Sequence, residues 1–353
     1  MIGSTYLLNS EGTKIKSDWA VSRTGAIACG QTSEGRYFFS TEQSFHPIAK
    51  GPANIDAVAL AHEMERTSAA DTMDYYIGPV LFTGQASAMF FLQLIENRFA
   101  SPRDLLTERN TKSGDDFGNR IGKRVMAKGL NVWDDPQIEA LDGHLLTGHY
   151  KYDYEGVPAQ RVSLVEDGVL VDFLSCRTPT PHNTTSNGHG RGAWGKIDPA
   201  IGNLFIESEN PSKDIHKDFI KSLHDLDLDY GIVVEKLYSP DDFGFWKSSS
   251  VDRLFRDYSQ QMQMNRSGLF PPILVYRLYQ DGHKEYLHNT IFLNMTTKSL
   301  FDIEGTSPAR YVYNAIGGFG YSIISPETIM VRDVEITNMN TDGSRLPVTA
   351  LFE

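Results

Sequence analysis

Two copies of one short pattern constrain this chain more than anything else in it. Residues 160–165 and 169–174 are apolar-rich runs joined through Glu166-Asp-Gly168, and residues 273–279 and 283–287 are joined through Gln280-Asp-Gly282. An Asp-Gly pair supplies the positive φ that a tight hairpin demands, so each copy predicts two antiparallel strands. Further strand-like runs occupy 129–133, ending at the turn Asp134-Asp-Pro136, and 321–324 and 328–336, split by Ser325-Pro326. The first 45 residues use the same grammar in short pieces, at 5–8, 20–22, 25–28 and 37–39, with turns at Asn9–Gly12 and Ser33–Gly35.

Helical spacing appears in three places. Residues 54–70 repeat apolar positions with Asn54 placed as an N-cap, and residues 214–227 repeat them again. The clearest helix is Gln85 to Phe99, where Ala88, Phe91, Leu92, Ile95 and Phe99 recur every three or four residues. Gly78-Pro79 reads as a break before a short buried strand, Val80–Phe82. The expected fold is α+β: a short α/β portion over residues 1–76, then a large strand-rich, mostly antiparallel domain over 77–353. The polar tail from Asn338 is expected to fray.

Composition removes several function classes. The net charge is -12 and the basic residues are scattered, which argues against a nucleic-acid surface. No apolar run is long enough to span a bilayer as a helix. The first residues, Met1–Tyr6, carry no basic segment leading into an apolar stretch, so no secretory signal is read there. A soluble protein is expected, cytoplasmic or periplasmic. Two cysteines, Cys29 and Cys176, cannot make a disulfide framework or a four-thiolate zinc site, and both are expected as buried thiols.

Several blocks, in order, resemble the TldD/PmbA metallopeptidase family. They are Tyr6-Leu-Leu-Asn-Ser-Glu-Gly12, Gly78-Pro-Val-Leu-Phe82, Gly118-Asn-Arg-Ile-Gly-Lys-Arg-Val125 and Asn131-Val-Trp-Asp-Asp-Pro136. Then come Tyr152 to Arg161, the Glu-Asp-Gly hairpin, and Ser186-Asn-Gly-His-Gly-Arg191 followed by Gly202-Asn-Leu204. The resemblance implies a further α/β region ahead of the Asn-Ser-Glu-Gly turn, so the chain is expected to be a truncated member. It also implies zinc, held in active members by H-E-x-x-x-H on a helix and a late cysteine. Aligned through Gly78-Pro-Val-Leu-Phe82, those positions read Leu92, Gln93 and Asn97; a shifted register reads Thr83, Gly84 and Ala88. Leucine cannot bind zinc and a glutamine amide takes up no proton near neutral pH. The late segment Asn314–Gly320 holds no cysteine. No zinc and no catalytic residue are therefore expected.

His62-Glu63 lacks a second histidine one turn on and reads as a surface helix. His144, His149, His182 and His189 form the alternative ligand set. Asp153 and Glu155, spaced i and i+2, would face one side of a strand, or else mark an acidic turn at Gly156. The loop Ser186, Asn187, Gly188, His189, Gly190 and Arg191 reads either as part of a substrate groove or as a turn. Together Asp153, Glu155, Gly156 and residues 186–191 are the candidate peptide-binding set. The resemblance implies a silent subunit that pairs with a metal-bearing TldD-like partner, or with itself, around an extended peptide. An active peptidase with displaced ligands and a peptide-binding scaffold are the alternatives.

Overall fold

The structure, a computed structural model, describes residues 1–31, 37–51, 54–95, 98–101, 117–193, 196–243, 259–260 and 262–339. In chain order the elements begin with β1 (Ile2–Leu8), β2 (Lys14–Gln31), β3 (Tyr37–Pro47), α1 (Ala57–Ser68), β4 (Tyr75–Thr83) and α2 (Gln85–Ile95). Then follow β5 (Leu130–Asp134), β6 (Ala140–Leu141), β7 (His144–Leu145), β8 (Val162–Glu166) and β9 (Val169–Leu170). Next are β10 (Gly190–Ala193), β11 (Lys196–Pro199), β12 (Asn203–Ser208), α3 (Ile215–Asp225) and β13 (Tyr230–Leu237). The last strands are β14 (Pro272–Tyr279), β15 (Lys284–Leu287), β16 (Thr290–Leu293), β17 (Ile303–Thr306), β18 (Arg310–Ile316), β19 (Gly320–Pro326) and β20 (Thr328–Asn338).

Two mixed sheets make the body, so the α+β, strand-rich expectation holds. One runs β15-β14-β13-β4-β20-β16, with β17 also on β20; the other runs β18-β19-β12-β5-β8-β9. Their pairings are antiparallel except β4 with β13 and β12 with β19. Both Asp-Gly hairpins form, as β8–β9 and β14–β15, with Asp167 at φ 48 and Gly168 at φ 76 in the first turn.

α2 lies between the sheets, packing on β4 and β13 of one and β18 and β19 of the other. It is apolar almost all round because it has no solvent face. Phe82 and Phe90 meet across this core at 5.0 Å between ring centroids. The outer face of the larger sheet is covered by α3. Its Ile215, Phe219 and Leu223, four residues apart, pack on Leu81, Val233 and Met330. Burial of each such side chain contributes about 1.5–3 kcal/mol.

Five expectations are corrected. Gly78-Pro79 does not break the chain; it lies inside β4, a central strand. Proline has no N–H to donate, and two features excuse it. The β4–β20 register jumps from Val331↔Val80 to Val334↔Gly78 over a bulge at Arg332 and Asp333, and β13 pairs with β4 only from Val80 onward. The cap of α1 is Asp56, not Asn54, because the Asp56 carboxylate reaches the free N–H groups of Val58 and Ala59. The pieces at 20–22 and 25–28 are one strand, β2, whose first half pairs with β1 and second half with β3. Cys29 is exposed, whereas Cys176 is buried, and both are free. Glu63 is no surface residue: it pairs with Lys236 at 2.7 Å and ties α1 to β13. The turn expected at 33–35 and the tail beyond Met339 lie outside the described residues.

Candidate functional site

The face of α2 where the resemblance implies zinc is committed to packing. Leu92 is 4% exposed within the main core. The Gln93 amide donates from Nε2 to the Tyr238 carbonyl at 2.9 Å, and its Oε1 accepts from Phe270 N–H at 2.8 Å. A neutral amide can donate and accept at once; a carboxylate can only accept. Gln85, two turns earlier, bridges Leu237 N–H and C=O in the same way. Asn97 lies outside the described residues. In the shifted register Thr83 accepts from the Thr328 hydroxyl, Gly84 N–H donates to Glu327, and Ala88 is core. Neither register has side chains that fit a zinc ion.

The alternative histidines do not converge. His149 Nδ1 faces the Pro136 carbonyl, His182 Nε2 faces the Gly118 carbonyl, and His189 is buried elsewhere. Among the described residues no group of three His, Cys, Asp or Glu side chains could share an ion.

The loop blocks do converge, on a polar cluster at the end of β5. Asp134, with no exposed surface, accepts from Gly202 N–H and lies 3.1 Å from His189 Nε2. His189 Nδ1 faces the Asn187 carbonyl and Asn187 Oδ1, both at 3.1 Å. Every partner of the ring is an acceptor, so all these contacts become hydrogen bonds when both nitrogens carry protons. Asn187 is fixed in turn, accepting from Ser175 N–H and donating to the Phe173 carbonyl. Ser186 Oγ accepts from Gly188 N–H.

Asp153 and Glu155 sit on a turn rather than a strand, with Gly156 at φ 79. The Asp153 carboxylate collects the N–H groups of Glu155, Val157 and Gly190. Glu155 accepts from Arg177 N–H. This turn therefore grips the 186–191 loop, and the grip is tight. A Cβ on Gly190 would lie 2.9 Å from Glu155 Oε2 and 3.0 Å from Asp153 Oδ2. A Cβ on Gly188, whose φ is +77, would lie 2.2 Å from the Pro158 carbonyl oxygen.

Of the nine candidate residues, eight thus organise backbone or each other. Arg191 differs. It is 6% exposed, yet Nε and Nη1 have no hydrogen-bond partner. Its guanidinium carbon lies 4.2 Å from the Tyr150 ring centroid and 4.9 Å from those of Tyr154 and Phe319. Burial raises the Tyr150 hydroxyl well above its usual range, with Arg191 pulling the other way. Sequence reasoning missed Tyr150 and Phe319, which lie 41 and 128 residues from Arg191 along the chain. Nothing local marks them as its neighbours.

The cluster and the α2 face are joined by one run of contacts. Gln93 holds Tyr238; the adjacent Ser239 hydroxyl meets Tyr313 at 3.1 Å; the neighbouring Asn314 holds Thr147, which precedes the Gly148 block. Gln43 of β3 reaches Tyr313 and Asn314 from above, and Arg23 of β2 reaches Ile316 and Asp241.

Comparison with known proteins gives the same picture. The model of the PmbA/TldA metallopeptidase C-terminal domain matches residues 77–241, a stretch that holds α2, the Gly148 block and the 186–191 loop. Over residues 77–241 the chain carries a TldD/PmbA-family domain. A metalloprotease of Methanothermobacter thermautotrophicus is 35% identical over 77 residues, 22% of this chain and 16% of that protein. Metalloprotease MJ0996 of Methanocaldococcus jannaschii is 32% identical over 111 residues, 31% of this chain and 22% of that protein. The aligned stretches thus take in less than a quarter of either relative. Among solved structures, a protein described as a modulator of a DNA gyrase from Thermotoga maritima superposes with a TM-score of 0.64 at 14% identity. It matches 95% of this chain and 67% of its own. TldE from Thermococcus kodakarensis gives 0.61 at 17% identity, over 94% of this chain and 66% of TldE. At such identities the likeness establishes the fold.

Proposed function

We propose that this chain is a catalytically silent TldD/PmbA-family subunit that supports proteolysis of unfolded peptides by a metal-bearing partner. The observation that carries the reading is the α2 face. At the positions where the resemblance implies a ligand and a general base, Leu92 is core and the Gln93 amide is spent on two backbone groups. A likeness in fold to TldE supports assembly with a TldD-like subunit rather than solitary action. Extended peptide would add as a strand to a sheet edge, gaining backbone hydrogen bonds whatever its sequence. The edge strand β18 of the smaller sheet offers such a position. No zinc is assigned to this chain, no nucleic acid is assigned as a partner, and the compartment is left open between cytoplasm and periplasm. No described helix is long and apolar enough to cross a membrane.

The test is co-purification of the chain with a family member that carries H-E-x-x-x-H, with zinc counted per chain after saturation and dialysis. Recovery in a complex whose zinc belongs to the partner supports the reading. Recovery always alone as a stable homo-oligomer, or close to one zinc bound by this chain itself, overturns it.

A further inference from the structure

The 186–191 loop buries one cation, Arg191, that has no ion pair among the described residues. Asp134 is occupied by His189 and Gly202 N–H, and Asp153 by three N–H groups. Asp198, directly across from Arg191 in the β10–β11 register, is ion-paired with Lys196 at 3.3 Å. Arg191 therefore keeps two unpaired, buried N–H-bearing nitrogens, flanked by the faces of Tyr150, Tyr154 and Phe319. Aromatic faces satisfy a guanidinium's charge above and below its plane, but not the N–H groups directed along its edge. A buried donor without an acceptor is costly. Nε–H lies on the Nη2 side of a guanidinium and Nη1 on the other, so the two orphan groups call for separate acceptors, and an anionic oxygen such as a carboxylate's is a strong acceptor for either. Phe319 is carried on the turn Gly317–Gly320, where Gly317 and Gly318 are exposed and a Gly317 N–H to Phe319 carbonyl bond closes the bend. Phe319 thus sits on the turn that joins β18 to β19.

We propose that Arg191, clamped by Tyr150, Tyr154 and Phe319, is a carboxylate-recognition site that anchors a peptide through its C-terminal or side-chain carboxylate. The assignment rests on the peptide-handling role above for the identity of the ligand, but not for the existence of the site. Binding transfers no atoms: Phe319 moves aside and a carboxylate oxygen accepts from an orphan N–H group of Arg191.

The experiment uses the full chain with arginine labelled at nitrogen, following the Nε–H signal that Arg191→Lys removes. Four probes are added separately: acetate, acetyl-Gly-Gly-Phe with a free C-terminus, the same peptide amidated, and acetyl-Gly-Glu-Gly-amide. The expected result is a saturable shift of that signal by acetate and by at least one carboxylate-bearing peptide. The amidated peptide should bind at least tenfold more weakly. Preference for the free C-terminus or for the glutamate peptide identifies the source of the carboxylate. Phe319→Ala, which removes the cover and leaves the guanidinium, should change carboxylate affinity at least threefold while the folded spectrum persists. A shift by acetate with no peptide bound keeps the site and overturns its peptide ligand. Equal binding of free and amidated peptide overturns the carboxylate site and leaves peptide binding standing. No response of the Arg191 signal to any probe overturns the inference.

Discussion

Replacing Gln93 with glutamate restores the residue type of the family's general base, and the structure states what that restoration costs. Gln93 Nε2 donates to the Tyr238 carbonyl at 2.9 Å while Oε1 accepts from Phe270 N–H. An ionised glutamate keeps the second bond, strengthened by its charge, and sets an oxygen against the Tyr238 oxygen in place of the first. An acceptor left without its donor costs about 1–3 kcal/mol. Gln93 is half-buried, so the lower half of that range applies, about 1–2 kcal/mol net. Facing a carbonyl raises the introduced carboxyl's folded pKa above its unfolded value of about 4.3. Protonated glutamate can donate to Tyr238, so the penalty is small below that unfolded value and grows as pH rises through the folded one. Thermal midpoints of Gln93→Glu and the parent chain should therefore nearly coincide at about pH 4 and differ by about 1–3 °C at about pH 8. Equal midpoints at both pH values, or a variant that gains at high pH, would refute the bridging role of the amide. Zinc uptake by this single variant would also refute it, because Leu92 would still block the ligand position.

The remaining predictions concern the loop cluster and the sheet. His189→Ala removes one buried hydrogen-bond partner of Asp134 and leaves Gly202 N–H as the other, so it should cost about 1–3 kcal/mol, read as a loss of midpoint in urea. Gly188→Ala forces a side chain into a left-handed residue against the Pro158 carbonyl, so it should yield insoluble protein or lose more than about 2 kcal/mol. Burial raises the Glu235 carboxyl above the usual carboxylate range, against the pull of Lys284 and Arg66. A raised folded pKa gives stability that is full below the unfolded value and is lost as pH rises through the folded one. Glu235→Gln should accordingly flatten the fall in stability as pH rises above about 4.5, followed by scanning calorimetry. An unchanged slope would mean that Glu235 is solvated.

Much of the fold was legible because its signals are local. The Asp-Gly turns, the β14–β15 hairpin and α3 each follow from backbone preference and apolar spacing within about a dozen residues. The failures share a cause. Gly78-Pro79 looked like a break because proline opposes a central strand, yet β20, far along the chain, bulges to accommodate it. Ser325-Pro326 separates two strands, as expected, but that β19 and β20 lie in different sheets is decided by distant partners.

The site divides in the same way. From sequence alone came the order of the blocks, their resemblance to the TldD/PmbA family, and Leu92 and Gln93 at the implied metal positions. These are properties of residue identity and spacing, and they survive without coordinates. Only the tertiary structure showed that Gln93 bridges Tyr238 and Phe270, that His189 is sealed against Asp134, and that Tyr150, Tyr154 and Phe319 close around Arg191. Each of those facts depends on which distant segments become neighbours. Burial, hydrogen-bond partners and unpaired charge belong to that arrangement, not to the residue type, and so appear only once the two sheets have packed around α2.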